Sequence, residues 1–250
     1  MWLALALYGL WTGATYALEG GPRTFLRPEA AGLRVLYTAV ANMLIGVVGS
    51  GLVLRHLARQ GRLAPAVAGF GSGRRSAVTT AAGFVLGLTV YLLQGAPSLD
   101  PIVLLNGFAQ VLPVSAAEVL VCWSVVGAAA GTSSRARRAP TLLAALLASA
   151  LFGLYHLAHS PPFSTWTMVG GLTVVGLATS VFFFVSRDVY GTIVFHNFLA
   201  LFGVLHALLE AGALARYEAP QAPLLITATL AIGLIAAVLN GMFTCRTTPR

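Results

Sequence analysis

Lysine is absent from this chain. All fifteen basic residues are arginine, and only seven acids stand against them in 250 residues. Charged side chains make up 9% of the sequence, against about 25% in ordinary soluble domains. That is too little charge to cover a wet exterior around the apolar surface that 58% hydrophobic residues bring. A soluble enzyme, a secreted disulfide scaffold and a disordered tail are thereby excluded. Cysteine is scarce as well: Cys122 and Cys245 lie in or beside different hydrophobic segments without C-x-x-C spacing, which argues against a disulfide framework. The chain also lacks an internal repeat, a low-complexity tract and a nucleotide-binding fingerprint; the glycines between Gly69 and Gly73 follow no strand. Alternation with a period of two is missing too, and lipid tolerates only helices or closed barrels.

What is present is long apolar runs, with a mean hydropathy of +0.85. A membrane span needs about 20 predominantly apolar residues. Eight stretches qualify: Trp2–Leu18, Leu33–Leu54, Ala77–Leu93, Val103–Ala130, Thr141–Leu157, Met168–Val185, Tyr190–Leu209 and Leu224–Phe243. The expected fold is all-α, a polytopic membrane bundle of about eight transmembrane helices forming a single domain over 1–250. The first stretch lacks the basic start of a signal peptide and reads as a helix of the bundle.

Arginine placement suggests an orientation. Arg55, Arg59, Arg62, Arg74, Arg75, Arg135, Arg137, Arg138, Arg187, Arg246 and Arg250 fall on one side of alternating spans, leaving Arg23, Arg27, Arg34 and Arg216 opposite. The positive-inside rule then places both termini in the cytoplasm of a cell-membrane protein. The net charge of +8 is accounted for by these loops. The expected partners are membrane lipid and an unknown peptide or protein substrate, with no nucleic acid.

Ionisable groups inside a span are costly, so each marks a candidate site. Glu19, Glu29, Asp100, Asp188, Glu210 and Glu218 sit in loops or at span ends; Glu118 alone lies well inside one. His156, His159, His196 and His206 lie in or beside spans, and His206 reads as interfacial. Residues three or four apart share a helix face, which aligns Phe152 with His156 and His156 with His159. Asn197 points about a quarter-turn from His196.

Two chemistries fit the cluster. In one, Glu118 activates water with help from His156, and His196, with Asn197 near it, donates to a developing oxyanion. In the other, Glu118, His156, His159 and His196 hold a divalent metal such as zinc. A third reading makes the same groups interhelical glue. Depth sets a condition on any shared site. At about 1.5 Å per residue, Glu118 lies about 20 Å from Gly131, His156 about 24 Å from Pro140 and His196 about 12 Å from Asp188. One site requires helices that run past the bilayer or a tilted seventh span.

The segment from Leu151 to His159 (LFGLYHLAH), followed some forty residues later by that from Gly191 to Val204 (GTIVFHNFLALFGV), resembles the CPBP family of intramembrane proteases. This family includes the type II CAAX prenyl endopeptidases and the bacterial immunity and abortive-infection proteins. The resemblance covers roughly Leu112 to Val204, inside a core of about 100–210. The family's pattern is Glu-Glu-x-x-x-Arg, then Phe-x-x-x-His, then His-x-x-x-Asn or Asp two helices later. Phe152 and His156 supply the second motif, and the order of Glu118, His156 and His196 fits. Ala117 and Glu118 stand where two glutamates are usual, Cys122 stands at the arginine position and Ala200 at the asparagine position, with Asn197 as a substitute. The resemblance implies peptide-bond hydrolysis in or at the membrane, with catalytic residues Glu118, His156, His196 and Asn197. Two other readings stand beside it: an inactive relative serving as a membrane scaffold or partner-binding protein, the outcome if the family's glutamate corresponds to Ala117, and a transporter relaying protons through the buried Glu and His.

Overall fold

In lipid a backbone must satisfy its own polar groups, and every regular element among the described residues is a helix. The computed structural model describes residues 1–132 and 139–244. Arg135, Arg137, Arg138, Arg246, Arg250 and Cys245, which entered the orientation and disulfide arguments, lie outside them. Helix α1 (Trp2–Thr15) runs on as a π-helical turn, Tyr16–Gly20. It is followed by α2 (Pro28–Arg59), α3 (Gly73–Leu93), α4 (Pro101–Gly131), α5 (Ala139–Tyr155, ending in a 3-10 turn, His156–Ala158), α6 (Trp166–Ser186), α7 (Val189–Glu210) and α8 (Ala222–Thr244).

Among the described residues seven helices, α2 to α8, are long and apolar enough to cross a membrane, so the chain is an integral membrane protein. The first of the eight expected spans is not among the seven. Its second half carries Thr12, Thr15, Tyr16 and Glu19, and Thr15 and Glu19 turn into the protein rather than outward.

Helices begin where the sequence supplies side-chain acceptors for their first amides. Ser72 accepts from the Arg75 amide at 3.4 Å, Asp100 from Ile102 at 2.7 Å, Thr165 from Met168 at 3.3 Å and Asp188 from Gly191 at 2.8 Å. Helix α4 forms the centre of the bundle and is buried nearly throughout. Its Trp123 Nε1–H donates to Ser180 Oγ on α6 at 2.7 Å, and Ser180 also meets Ser149 of α5 at 2.9 Å, a polar tie among three apolar helices. Beyond Glu118 the helix widens into a π-helical stretch, Val119–Gly127; such stretches concentrate at functional positions.

The depth condition is met by setting α7 back into the protein. Asp188 and Val189, at its start, are fully buried. The loop after α2 folds beneath them: Gly69 O accepts from the Val189 amide at 3.0 Å, and Ala68 O from Ser124 Oγ at 2.6 Å. The α7 N-terminus therefore begins inside the bundle rather than at its edge, so His196 needs fewer residues to reach the level of His156.

Helices α3 and α7 approach backbone to backbone, as small residues allow in membrane bundles. A Cβ at Gly83 would lie 2.4 Å from the Gly191 carbonyl oxygen, and one at Gly191 would lie 2.5 Å from that of Thr79. Because the obstacle on both sides is backbone, it cannot swing away. Gly191→Val is expected to part the two helices and to cost about 1–3 kcal/mol or more, read as a lowered thermal unfolding midpoint in detergent. An exposed control, Gly32→Val, is expected to leave the midpoint within error.

Candidate functional site

The site is assembled from helix ends and interruptions. Glu118 is the last residue before the π stretch of α4. The adjacent Ala117 faces α2, where it meets Gly46 so closely that a methyl group at position 46 would overlap its own. Glu118 is thus the residue of the pair turned towards the histidines. It is 2% exposed, and a carboxylate so buried requires compensation by partners.

Two imidazoles provide it. His196 Nε2 of α7 lies 2.9 Å from Glu118 Oε2, and His156 Nε2 of α5 lies 3.7 Å from Oε1. The tautomers follow from the other ring nitrogens. His156 Nδ1 is 2.9 Å from the Phe152 carbonyl oxygen, which can only accept, so Nδ1 carries the proton and Nε2 of the neutral ring presents a lone pair. His196 Nδ1 is 2.8 Å from Thr179 Oγ1 of α6. That hydroxyl also lies 3.2 Å from the Val175 carbonyl, to which it can donate, and against the ionised carboxylate the His196 Nε2–H is given to Glu118. Both nitrogens of His196 are engaged, so the donor expected to meet an oxyanion is held by the carboxylate instead. The Phe152 ring stands 4.7 Å from the ring of His156 and 5.0 Å from that of His196, and Trp123 stands 5.3 Å from His196. These walls keep both imidazoles in an apolar surrounding.

Asn197 is not part of this group. Its Nδ2 donates to the Phe108 carbonyl at 3.2 Å, and its side chain is not on the wall of the cavity described below. The quarter-turn between neighbouring helix positions that separates it from His196 also carries it to the interface with α4.

His159 does join the site. The 3-10 turn His156–Ala158 has three residues per turn, which eclipses positions i and i+3. The rings of His156 and His159 accordingly stack at 5.0 Å with 21° between their planes. Ligand atoms from Glu118, His156 and His159 all lie within 4.8 Å of one another, a grouping able to hold a metal ion; His196 is outside it. On its far side His159 Nδ1 meets Glu19 Oε2 at 3.3 Å.

Sequence reasoning assigned no role to Glu19 or Thr179. A span-end acid reads as a loop residue, although Glu19 is 5% exposed. Thr179 has no distinguishing signal, because α6 also carries the hydroxyls of Thr167, Thr173, Ser180 and Ser186. His206 sits near the C-terminal end of α7, half exposed, 3.6 Å from Glu210.

A cavity of about 420 Å³ leads to these residues, with Glu118, His156, His159 and His196 on its wall. It reaches the surface where α2 and α8 begin, beside Pro28, Arg34, Arg216 and Gln221. Leu172, Val175, Leu199 and Val204 make its flanks apolar. The arrangement offers a carboxylate, lone pairs on neutral imidazoles and a path for an extended apolar ligand.

Residues 103–200 match the family model described as type II CAAX prenyl endopeptidase, Rce1-like. Curated proteins and solved structures yield no significant match. The matched stretch runs from the first turn of α4 to Ala200, and so includes Glu118, His156, His159, Thr179 and His196 and leaves out Glu19.

The partners of His196 generate a stability test. Thr179→Val keeps the side-chain shape and leaves a buried ring nitrogen unpaired, which is expected to cost about 1–3 kcal/mol. Thr179→Ser is expected to recover most of it, both being read from thermal unfolding in detergent.

Proposed function

We propose that this integral membrane protein, whose residues 103–200 match the Rce1-like type II CAAX prenyl endopeptidase model, hydrolyses a peptide bond in or at the membrane. The observation that carries the reading is the meeting of Glu118 with His156 and His196, residues of three spans, on the wall of one cavity. Glu118 Oε1 and His156 Nε2 are both acceptors and stand 3.7 Å apart, a separation that one water can bridge by donating a proton to each. As the water oxygen bonds to the scissile carbonyl carbon, Glu118 takes its proton. When the carbon–nitrogen bond breaks, Glu118 returns that proton to the leaving amine. His156 fixes the direction of attack, and His196 holds the carboxylate from its other oxygen.

A second reading has the activation done by a divalent cation such as zinc, and the close grouping of Glu118, His156 and His159 favours it. The replacement of usual motif residues by Ala117, Cys122 and Ala200 favours a third, a non-catalytic relative that binds a partner. A proton-relaying transporter would use the same buried acid. In the proposed setting the protein lies in the cell membrane with both termini cytoplasmic, by the arginine bias, an arrangement that requires α1 to cross the bilayer along with the seven longer helices. The cavity then opens on the outer face, and the partners are membrane lipid and a peptide or protein substrate.

In liposomes containing the protein and a library of membrane-anchored reporter peptides, the parent chain is expected to cleave at least one reporter. Glu118→Gln and His156→Ala are expected to slow that cleavage by about 10²–10⁴-fold. Unchanged cleavage by Glu118→Gln refutes the assignment, and a parent chain inert towards every reporter supports the non-catalytic relative.

A further inference from the structure

The mouth of the cavity carries two guanidiniums without a counter-charge. Arg34 of α2 and Arg216 of the α7–α8 loop both stand on the cavity wall, and among the described residues neither forms an ion pair. Glu29, whose charge Arg216 also feels, is held by Arg27 at 2.7 Å. The two cations converge on one phenol: burial raises the pKa of Tyr217, and Arg34 and then Arg216 oppose the rise. Like charges gathered at an apolar cavity repel each other, and an anion bound to both relieves that cost.

Both arginines are held in place by buried groups. Arg34 donates to the Phe25 carbonyl at 3.1 Å, and the Phe25 amide is in turn accepted by Ser160 Oγ at 3.3 Å. Arg216 belongs to a loop that Asn106 of α4 ties down. This asparagine is fully buried; its Nδ2 donates to the Tyr217 and Ala219 carbonyls at 2.9 and 2.8 Å, and its Oδ1 accepts the Gln221 amide at 3.0 Å. A buried amide whose bonds all go to one loop fixes that loop against the helix.

We propose that this mouth binds an anionic phospholipid of the surrounding bilayer, with its phosphate on Arg34 and Arg216 and one acyl chain inside the cavity. Guanidinium is well matched to phosphate, which it meets through paired N–H donors. A lateral path exists for such a ligand. Helices α2 and α8 both begin at the mouth and meet further along, where a Cβ at Gly51 would lie 2.4 Å from Val238 Cγ1. Nearer their starts the cavity lies between them, bordered by Val35 and Thr38 on one side and Leu224 and Thr227 on the other. Val35 is on the cavity wall and yet 52% exposed, and Leu36 and Ile226 are exposed as well. An opening rimmed by apolar side chains suits contact with acyl chains. The volume of about 420 Å³ is within the range of about 300–1,000 Å³ of sites that bury small ligands. A soluble phosphate would leave the apolar flanks uncovered, whereas an acyl chain covers them. Binding of the lipid does not rest on the peptidase reading; on that reading the lipid and the substrate compete for one cavity.

The test uses the purified full chain in detergent, offered equal amounts of dioleoyl phosphatidylglycerol and dioleoyl phosphatidylcholine, with bound lipid counted by native mass spectrometry. The parent chain is expected to retain one phosphatidylglycerol in preference to phosphatidylcholine. Arg34→Gln combined with Arg216→Gln is expected to lower that preference about 10–30-fold. Arg59→Gln combined with Arg62→Gln, at the far end of α2, is expected to leave it unchanged. Gly203→Leu probes the acyl chain: Gly203 lies on the cavity wall, where a Cβ would meet only Phe163 at 3.7 Å. A leucine there occupies cavity space and is expected to weaken retention of phosphatidylglycerol with both arginines intact. Equal retention of the two lipids by the parent chain overturns the proposal and needs no substitution, so a variant that misfolds leaves it testable. Undiminished preference in the Arg34 and Arg216 variant overturns it too. Competition by glycerol phosphate, a head without chains, at the concentration of the lipid assigns the site to a soluble phosphate and overturns the lipid. Cleavage of a reporter peptide, found or not, leaves each of these outcomes unaffected.

Discussion

The architecture turns on a carboxylate that water does not reach. Taking an ionised carboxylate out of water costs several kcal/mol even after the protein relaxes, and among the described residues the ion-pair partners of Glu118 are histidines rather than arginines. Its nearest partner is an imidazole on α7 at 2.9 Å, with a second imidazole on α5 close behind. That contact imposes a geometric constraint: residues far apart in sequence, each at a different distance from its own helix terminus, must be brought to one level. Much of the packing can be understood as the means of meeting it.

The means are local departures from regular helix. Helix α4 changes pitch directly after Glu118, α5 tightens into a 3-10 turn at His156, and α7 begins inside the bundle over a tucked loop. Each departure leaves backbone groups in need of partners, and side chains supply them: Asp188 caps α7, and Ser124 reaches the loop carbonyl of Ala68. Small residues do the rest. Gly83 against Gly191, Gly46 against Ala117 and Gly20 against Ala158 are the places where elements meet without side chains between them.

The bundle and the three central residues were legible in the sequence for one physical reason. Apolar runs of span length have few alternatives to helices, and an acid or histidine inside such a run is too costly to be incidental. Other features had no linear signature. Whether Ala117 or Glu118 faces the histidines depends on where α4 meets Gly46, a long-range contact. The unequal depths looked like an obstacle because helices were imagined as starting at a common plane, and Asp188 does not. His159 comes beneath His156 through a 3-10 turn that its sequence does not advertise, and Glu19 was passed over because a span-end acid resembles any loop acid. Asn197 illustrates the opposite limit: proximity in sequence to His196 placed it one helix position from the site and therefore on another face.

The departures from the family's pattern become intelligible in the same terms. Cys122 and Ala117 are both fully buried within the apolar core around α4, where an arginine or a second glutamate would be a further uncompensated charge. Ala200 lies on the cavity wall, but its methyl group cannot donate to a developing oxyanion as an amide would. On the peptidase reading, stabilisation of that oxygen must then come from another source, since His196 has given its N–H to Glu118. The chain has placed a further imidazole, His159, where the family's motifs ask for none, and has braced it with a carboxylate from the N-terminal helix.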